Sequence, residues 1–261
     1  MKMIKYGLLA VAAAWILSGC SVEVSGSIAD NCKFQQDRSA TVAVDGTKTL
    51  SVIAGAGSLR IEGRPGLGEV RVQGTACASS ENLVNRIDLR AEKVGDVVRV
   101  ETILPSVSFG NSPTLDLIIE VPESMAARID DASGEIQVLR IAGVDVEDGS
   151  GSMELVEIAG PIRITDDSGD VEVRDVSGNV VVKDDGSGSI RIDGVKGDVQ
   201  IDRDNSGDID ITDVTGNVII DEDGSGSIDV DTVQGDFTVR RDGSGSIQYR
   251  NVSGHTSIPK D

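Results

Sequence analysis

The most constraining feature of the sequence is a dipeptide that returns at a fixed interval. In the second half of the chain an Asp-x-Ser-Gly unit recurs at intervals that settle at 19 residues, with its serines at Ser133, Ser150, Ser168, Ser187, Ser206, Ser225 and Ser244. An aspartate stands two residues before each serine, and a glycine stands ten residues after it. A fixed period of this length is typical of solenoids, in which each repeat is one structural unit stacked on the next.

Each period contains two short runs that alternate between apolar and polar residues. In the copy that begins at Ser187, Ile190 and Ile192 belong to the first run, and Val199 and Ile201 belong to the second. Alternate side chains of a strand point to opposite faces of the sheet, so these aliphatic residues are predicted to point inward. Each coil is therefore predicted to be strand, turn, strand, turn, with glycines at the turns because they accept positive φ.

Identical residues at every second turn favour a parallel stack, in which each residue lies over its own copy. We therefore predict an all-β fold: a parallel β-solenoid of about seven 19-residue, two-strand coils over residues 126–261, preceded by an irregular β-rich segment at 40–125. One or two helical turns are expected between Ser80 and Ile87. The composition agrees, since aromatic residues make up only 2% of the chain and a thin coil has little space for rings.

The N-terminus has the features of an export signal. Lys2 and Lys5 precede the apolar run Leu8–Leu17, which is too short to cross a bilayer because a membrane-spanning helix needs about 20 residues. The run ends in Leu-Ser-Gly-Cys20, which resembles the bacterial lipobox.

The lipobox resemblance implies a lipid anchor. Residues 1–19 would be a cleaved signal peptide, Cys20 would carry diacylglycerol and palmitate, and residues 20–39 would be the anchor and tether. Ser21 follows the cysteine and favours sorting to the outer membrane. The alternative is an ordinary secretory signal with a coincidental cysteine.

Two further cysteines, Cys32 and Cys77, lie outside the predicted signal peptide. An even pair in an extracytoplasmic protein is more often a disulfide than a metal site, so we expect Cys32 and Cys77 to be bonded. Two free thiols are the alternative.

Several segments together resemble a known family. They are residues 115–122 (LDLIIEVP), residues 132–136 (ASGEI) and the later Ser-Gly-Ser-Ile and Gly-Asp-Val units. They are similar to the bacterial putative-adhesin β-solenoid family, which is related to head GIN domains, and the resemblance spans roughly residues 40–258. It implies a solenoid fold and a cell-surface role. It supplies no functional residue.

The charge of the chain limits its partners and its chemistry. A formal net charge of −20 argues against binding to nucleic acid or to an anionic lipid surface. The acids recur in every coil, as turn residues do, whereas a catalytic site is unique. We therefore expect no catalytic residue, no cofactor and no enzymatic activity. A polysaccharide-degrading enzyme that uses adjacent acids such as Asp184 and Asp185 is the less favoured alternative.

The aspartates before the Ser-Gly units form a predicted ladder of stacked carboxylates. We expect each one to accept hydrogen bonds from the backbone N–H groups just downstream, as in Asx turns. Weak calcium binding is the alternative, because calcium takes six to eight oxygen ligands. Its candidates are Asp185, Asp204, Asp223 and Asp242.

The two predicted sheets differ in their outward residues. The first-strand positions are mostly acidic, whereas the second-strand positions include the nearly uncharged series Val181, Gln200, Ile219 and Thr238. This series is the candidate contact face for a protein or glycan, although β-branched residues favour strands whether or not anything binds. The function expected is a lipid-anchored, non-enzymatic binding, adhesion or structural module of the cell envelope. A periplasmic stress or signalling component is the alternative, and the side of the outer membrane stays open.

Overall fold

The computed structural model describes residues 32–107 and 112–259, and this part of the chain is almost entirely β-structure. Its one α-helix is the single turn α1, Glu81–Val84, within the segment where a helical turn was predicted. The strands before the regular repeats are β1 (Phe34–Ala43), β2 (Thr49–Ala56), β3 (Leu59–Arg64), β4 (Glu69–Ala78), β5 (Asp88–Val94), β6 (Val97–Ile103) and β7 (Thr114–Pro122).

The repeats add a further series of short strands. They are β8 (Ala126–Ser133), β9 (Ile136–Leu139), β10 (Gly143–Asp148), β11 (Met153–Val156), β12 (Ile162–Asp166), β13 (Val171–Val176), β14 (Val180–Asp185), β15 (Ile190–Val195), β16 (Val199–Ile201), β17 (Ile209–Val214), β18 (Val218–Ile220), β19 (Gly226–Val233), β20 (Phe237–Val239), β21 (Gly245–Val252) and β22 (Thr256–Ser257). From β9 onward, alternate strands enter two different sheets, which gives the seven predicted coils.

The strands build two sheets that face each other across the core. The first sheet has the order β1-β4-β7-β3-β9-β11-β13-β15-β17-β19-β21, and the second has the order β22-β20-β18-β16-β14-β12-β10-β8-β2-β6-β5. All pairs between successive coils are parallel, and apart from one register shift between β12 and β14 they keep equivalent residues together, so Ile190 lies over Ile209 and Val199 lies over Val218. The predicted parallel β-solenoid is confirmed.

The core is a thin layer of aliphatic side chains. Ile190, Ile192, Val199 and Ile201 are fully buried, as their alternation predicted, and Val195 at the intervening turn is buried with them. The largest fully buried side chain is Phe237 in β20, whose ring lies 5.8 Å from the ring of Tyr249 on the last coil.

The turns of the Ser-Gly units bring backbones of successive coils into contact. Gly188 has a φ of +140°, and a Cβ at this position would lie 1.7 Å from the carbonyl oxygen of Gly169 in the preceding coil. Gly207 repeats this arrangement on Gly188. Glycine is required here both for the positive φ and for the close approach.

The irregular segment covers the end of the solenoid at β8 and β9, which is opposite the end formed by β21 and β22. The coil formed by β2 and β3 lies between β6–β7 on one side and β8–β9 on the other, so its position in space does not follow its position in the chain. Antiparallel pairs β1–β4, β4–β7 and β5–β6 complete this end. Arg38 joins them to the helix by donating hydrogen bonds to the backbone oxygens of Val84 and Ile87.

The predicted disulfide is confirmed. Cys32 is bonded to Cys77, with their Cα atoms 5.3 Å apart. The bond links the residue just before β1 to the end of β4, so it holds the beginning of the described chain on the folded body. The predicted signal peptide and the lipobox residue Cys20 lie outside the described residues. Within 32–107 and 112–259, no helix is long and apolar enough to span a membrane.

Candidate functional site

The candidate contact residues form one continuous stripe on the outer face of the second sheet. Val181 pairs with Gln200, Gln200 pairs with Ile219, and Ile219 pairs with Thr238, so each side chain lies directly beside the next. All four are partly exposed. We call this row the second-sheet stripe. The parallel register brings together residues that are 19 positions apart in the sequence.

A row of amide and carboxylate side chains runs along one side of the second-sheet stripe. Asn179 Oδ1 accepts a hydrogen bond from the backbone N–H of Asp198 at 3.0 Å, and Asp198 Oδ1 accepts one from Asn217 at 2.8 Å. Asn217 Oδ1 accepts the next, from Asp236, at 2.9 Å. These bonds hold the turns in register and fix one wall of the face. The sequence signal for this row is the Asn or Asp that follows four of the second-turn glycines, Gly178, Gly197, Gly216 and Gly235.

Charged pairs border the other side of the second-sheet stripe. Lys183 Nζ lies 2.6 Å from Asp202, and Arg240 pairs with Asp221. The charges of these border residues offset each other. The second-sheet stripe itself contains no charged side chain.

The row that contains the stripe continues onto a shallow cleft in the earlier coils. Arg163 lies beside Val181, and Asp145 and Arg128 follow in register. The cleft has a volume of about 440 Å³ and a floor of small apolar residues that includes Ala126 and Pro161. Within the described residues, Arg128 and Arg163 are exposed and make no ion pair within 4.0 Å, which is uncommon in a chain whose other arginines are mostly paired.

The outer face of the first sheet is acidic, as predicted. Its central row is Gln137, Glu154, Glu172, Arg191, Asp210, Asp229 and Gln248. Arg191 lies 3.3 Å from Asp210 on the next coil, and Arg250 lies 2.8 Å from Asp231. These exposed pairs offset part of the repulsion between stacked acids, and each is worth little in stability.

The predicted aspartate ladder exists, but all except the last of its side chains lie inside the protein. Successive pairs connect seven residues in register, namely Asp131, Asp148, Asp166, Asp185, Asp204, Asp223 and Asp242. Six of them are buried, and Asp185 and Asp204 have no exposed surface. We call these seven residues the aspartate ladder.

The expected Asx-turn hydrogen bonds form in only part of the ladder. The N–H of Ser168 donates to Asp166 Oδ1 at 3.3 Å, and the N–H of Ser206 donates to Asp204 Oδ1 at 3.1 Å. Backbone N–H groups just downstream also act on Asp131 and Asp148, from Ala132 and from Gly149 and Ser150. For Asp185 and Asp223 the prediction was wrong, because neither carboxyl oxygen accepts a hydrogen bond from the backbone. The turns direct these carboxyls inward, past the N–H groups that were expected to bind them.

Burial changes the acidity of the aspartate ladder. Loss of hydration raises the pKa of Asp131 and of Asp223 to about 7, with the neighbouring carboxylates adding to the effect. The same loss of hydration, followed by the charge of Asp148, raises the pKa of Asp166 to about 6. Burial is also the main cause of the raised pKa values of Asp185 and Asp204.

The acids do not assemble a metal centre within the described residues. No group of three or more His, Cys, Asp or Glu side chains there could hold a metal ion, and this includes the calcium candidates Asp185, Asp204, Asp223 and Asp242. The adjacent acids Asp184 and Asp185 point to opposite sides of the turn. Asp184 pairs with Arg203 at 2.9 Å on the surface, whereas Asp185 is buried, so the two do not converge on one substrate.

Comparison with known proteins finds likeness in structure only. No protein-family model matches the chain, and no curated protein matches it. A putative lipid binding protein from Parabacteroides distasonis has a similar fold, with a TM-score of 0.51 and 15% identity over 88% of this chain and 98% of that one. A putative adhesin from the same organism reaches a TM-score of 0.41 with 16% identity, over 85% of this chain and 96% of that one. At these identities the first likeness supports the solenoid fold and says nothing further.

Proposed function

We propose that the protein is a lipid-anchored, extracytoplasmic β-solenoid that acts as a non-enzymatic binding module of the bacterial cell envelope. The observation that carries the proposal is the second-sheet stripe, a flat and nearly uncharged row beside a cleft on an otherwise acidic protein. Repeat proteins characteristically use such extended faces for binding. The ligand would be a protein or a glycan of the envelope or of a neighbouring cell.

Two observations support the extracytoplasmic setting. The Cys32–Cys77 disulfide is typical of oxidising compartments and is rare in the bacterial cytoplasm. The lipobox-like Leu-Ser-Gly-Cys20 directly follows a short apolar run, which is the order found in lipoprotein signals. The resemblance to the putative-adhesin family agrees with both. The anchor at Cys20 would keep the solenoid at the membrane while both sheet faces stay free.

The location is tested by protease treatment of intact cells that carry a tag after Asp261. If the module faces outward, we expect the tag to disappear from intact cells, and Cys20→Ser should shift the protein from the membrane fraction to the soluble fraction. A lysed sample shows that the site can be cleaved. A tag that survives until lysis would contradict surface adhesion and favour the periplasmic stress or signalling alternative. Cys20→Ser protein that stays in the membrane fraction would contradict the lipid anchor.

The contact face is tested by adding charge to the second-sheet stripe. Val181→Lys together with Ile219→Lys should weaken binding to a glycan array or to outer-membrane vesicles at least about tenfold, because an apolar contact is replaced by a hydrated charge. Both side chains point outward, so the melting temperature should change little.

The matched control for this test is Thr212→Lys, which adds a lysine at an outward, partly exposed position of the first sheet. It should leave binding unchanged. Equal effects of the stripe variant and the control, or no effect of either, would remove the second-sheet stripe from the binding surface.

A further inference from the structure

The aspartate ladder is too deeply buried for all of its carboxyl groups to be ionised in the folded protein. Neighbouring members are one coil apart, which is about 4.8 Å between strands, and water does not screen them. Neither oxygen of Asp185 or Asp223 accepts a hydrogen bond from a backbone N–H or from a basic side chain. A buried, unpaired carboxylate is strongly destabilising, and a row of them in contact is more so. The fold therefore needs something that compensates these charges.

Basic side chains of the described residues do not supply that compensation. Cations on the ladder turns pair with partly exposed acids outside the ladder: Lys183 with Asp202, Arg203 with Asp184, and Arg241 with Glu222. Other charged groups increase the electrostatic repulsion, because four further acids lie on the same turns as the ladder and carry the same charge. They are Asp130, Asp167, Asp184 and Asp208.

Metal ions are a poor fit to the same geometry. Calcium requires six to eight oxygen ligands, usually several of them carboxylates around one point. The ladder instead spaces its carboxyls along a line, and within the described residues no three acids converge on a site that could hold a metal. A proton needs only two oxygens, which is the number that neighbouring members of a ladder offer.

We propose that the aspartate ladder is held together by shared protons, with neighbouring carboxyls paired as acid and carboxylate. The protonated carboxyl donates its O–H to an oxygen of the carboxylate on the next coil, so two orphaned oxygens become partners. Each pair then carries one negative charge in place of two. The protons come from solvent when the chain folds and return to solvent when it unfolds. The inference does not depend on the proposed binding function.

This arrangement makes the solenoid stable in acid and weaker in mild alkali. The pKa of an unburied aspartate is 3.8, whereas burial and neighbouring charge raise the pKa of Asp131 and Asp223 to about 7. The folded state therefore holds protons that the unfolded state releases. Linkage requires the stability from these groups to be complete below about pH 4 and to be lost as the pH rises through the folded-state values.

The test compares thermal unfolding of three proteins between pH 6 and pH 8.5 in the presence of a chelator. We expect the melting temperature of the wild type to fall by about 10 °C or more over this range. Asp185→Asn should reduce that fall, because it removes a buried charge and keeps the shape of the side chain. The matched control, Asp193→Asn, removes an exposed acid of the same coil whose side chain makes no hydrogen bond or ion pair, and it should keep the wild-type slope.

A second measurement keeps the test decisive if Asp185→Asn does not fold. The infrared spectrum of the wild type should contain the C=O band of a protonated carboxyl at pH 7, and urea unfolding at pH 7 should release protons. Absence of both would overturn the proposal, as would equal slopes for Asp185→Asn and Asp193→Asn. Recovery of the lost stability at pH 8.5 by calcium, with stoichiometric uptake, would overturn it in favour of a cation ladder.

Discussion

Gly207→Ala should prevent two successive coils from packing normally and lower the free energy of unfolding by more than about 4 kcal/mol. Gly207 has a φ of +150°, and an added Cβ would lie 1.6 Å from the carbonyl oxygen of Gly188. The atom it meets is backbone, so no side chain can rotate away. Relief requires the two coils to separate, which breaks the hydrogen bonds between them. The measurement is the yield of folded protein and its melting temperature.

Two control variants separate the steric contact from the backbone conformation. Gly66 also has a positive φ, +72°, but an added Cβ there meets nothing within 4 Å, so Gly66→Ala should cost only about 1 kcal/mol. Gly68 has open space and no positive φ, and Gly68→Ala should be nearly neutral. If Gly207→Ala is no worse than Gly66→Ala, the close contact between successive coils is not what makes glycine necessary.

The repeat made the regular part of the fold predictable from the sequence. Period, turn glycines and apolar alternation all specify the same structure, and the inward positions Ile190, Ile192, Val199 and Ile201 are indeed buried. Parallel stacking then fixes the second-sheet stripe, because any residue must lie beside its own copy. The same pattern of strand and turn residues occurs in seven coils, so each coil supports the structure predicted for the others.

The irregular segment was not predictable to the same degree. Its strands were visible as alternating runs, but the placement of the β2–β3 coil between β7 and β9 depends on pairings between distant parts of the chain. Residues 40–125 lack a period, so nothing in the sequence specifies which strand is the neighbour of which. Only the disulfide between Cys32 and Cys77 gave a long-range constraint there, and it is confirmed.

The sequence contains a signal for the burial of the aspartate ladder. Val144, Val146 and Asp148 are alternate residues of β10, and so are Ile162, Ile164 and Asp166 of β12. The alternation that sends the aliphatic residues inward sends the aspartates inward as well. The Asx-turn prediction rested instead on the backbone N–H groups just downstream of each aspartate. In later coils a register shift before Asp185 hides the alternation while preserving its result.

Phe237→Ala should destabilise the last coils by about 3–5 kcal/mol, the usual cost of removing a buried aromatic ring. Phe237 is fully buried and occupies the row that Val199 and Val218 hold in earlier coils. The resulting cavity is large for a core only two sheets thick. Tyr249→Ala is the matched control, because its ring contacts Phe237 but is 46% exposed, and it should cost much less. Chemical denaturation measures both.

The distribution of the loss matters more than its size. In a stack where each coil contacts only its neighbours, damage at one coil need not spread along the whole array. Hydrogen exchange should therefore speed up in β19–β22 of Phe237→Ala and remain slow around Val138 and Val146 in the early coils. A uniform loss of protection would mean that the solenoid unfolds as one cooperative unit. In that case the aspartate ladder, which connects every coil from Asp131 to Asp242, would be the feature able to couple them.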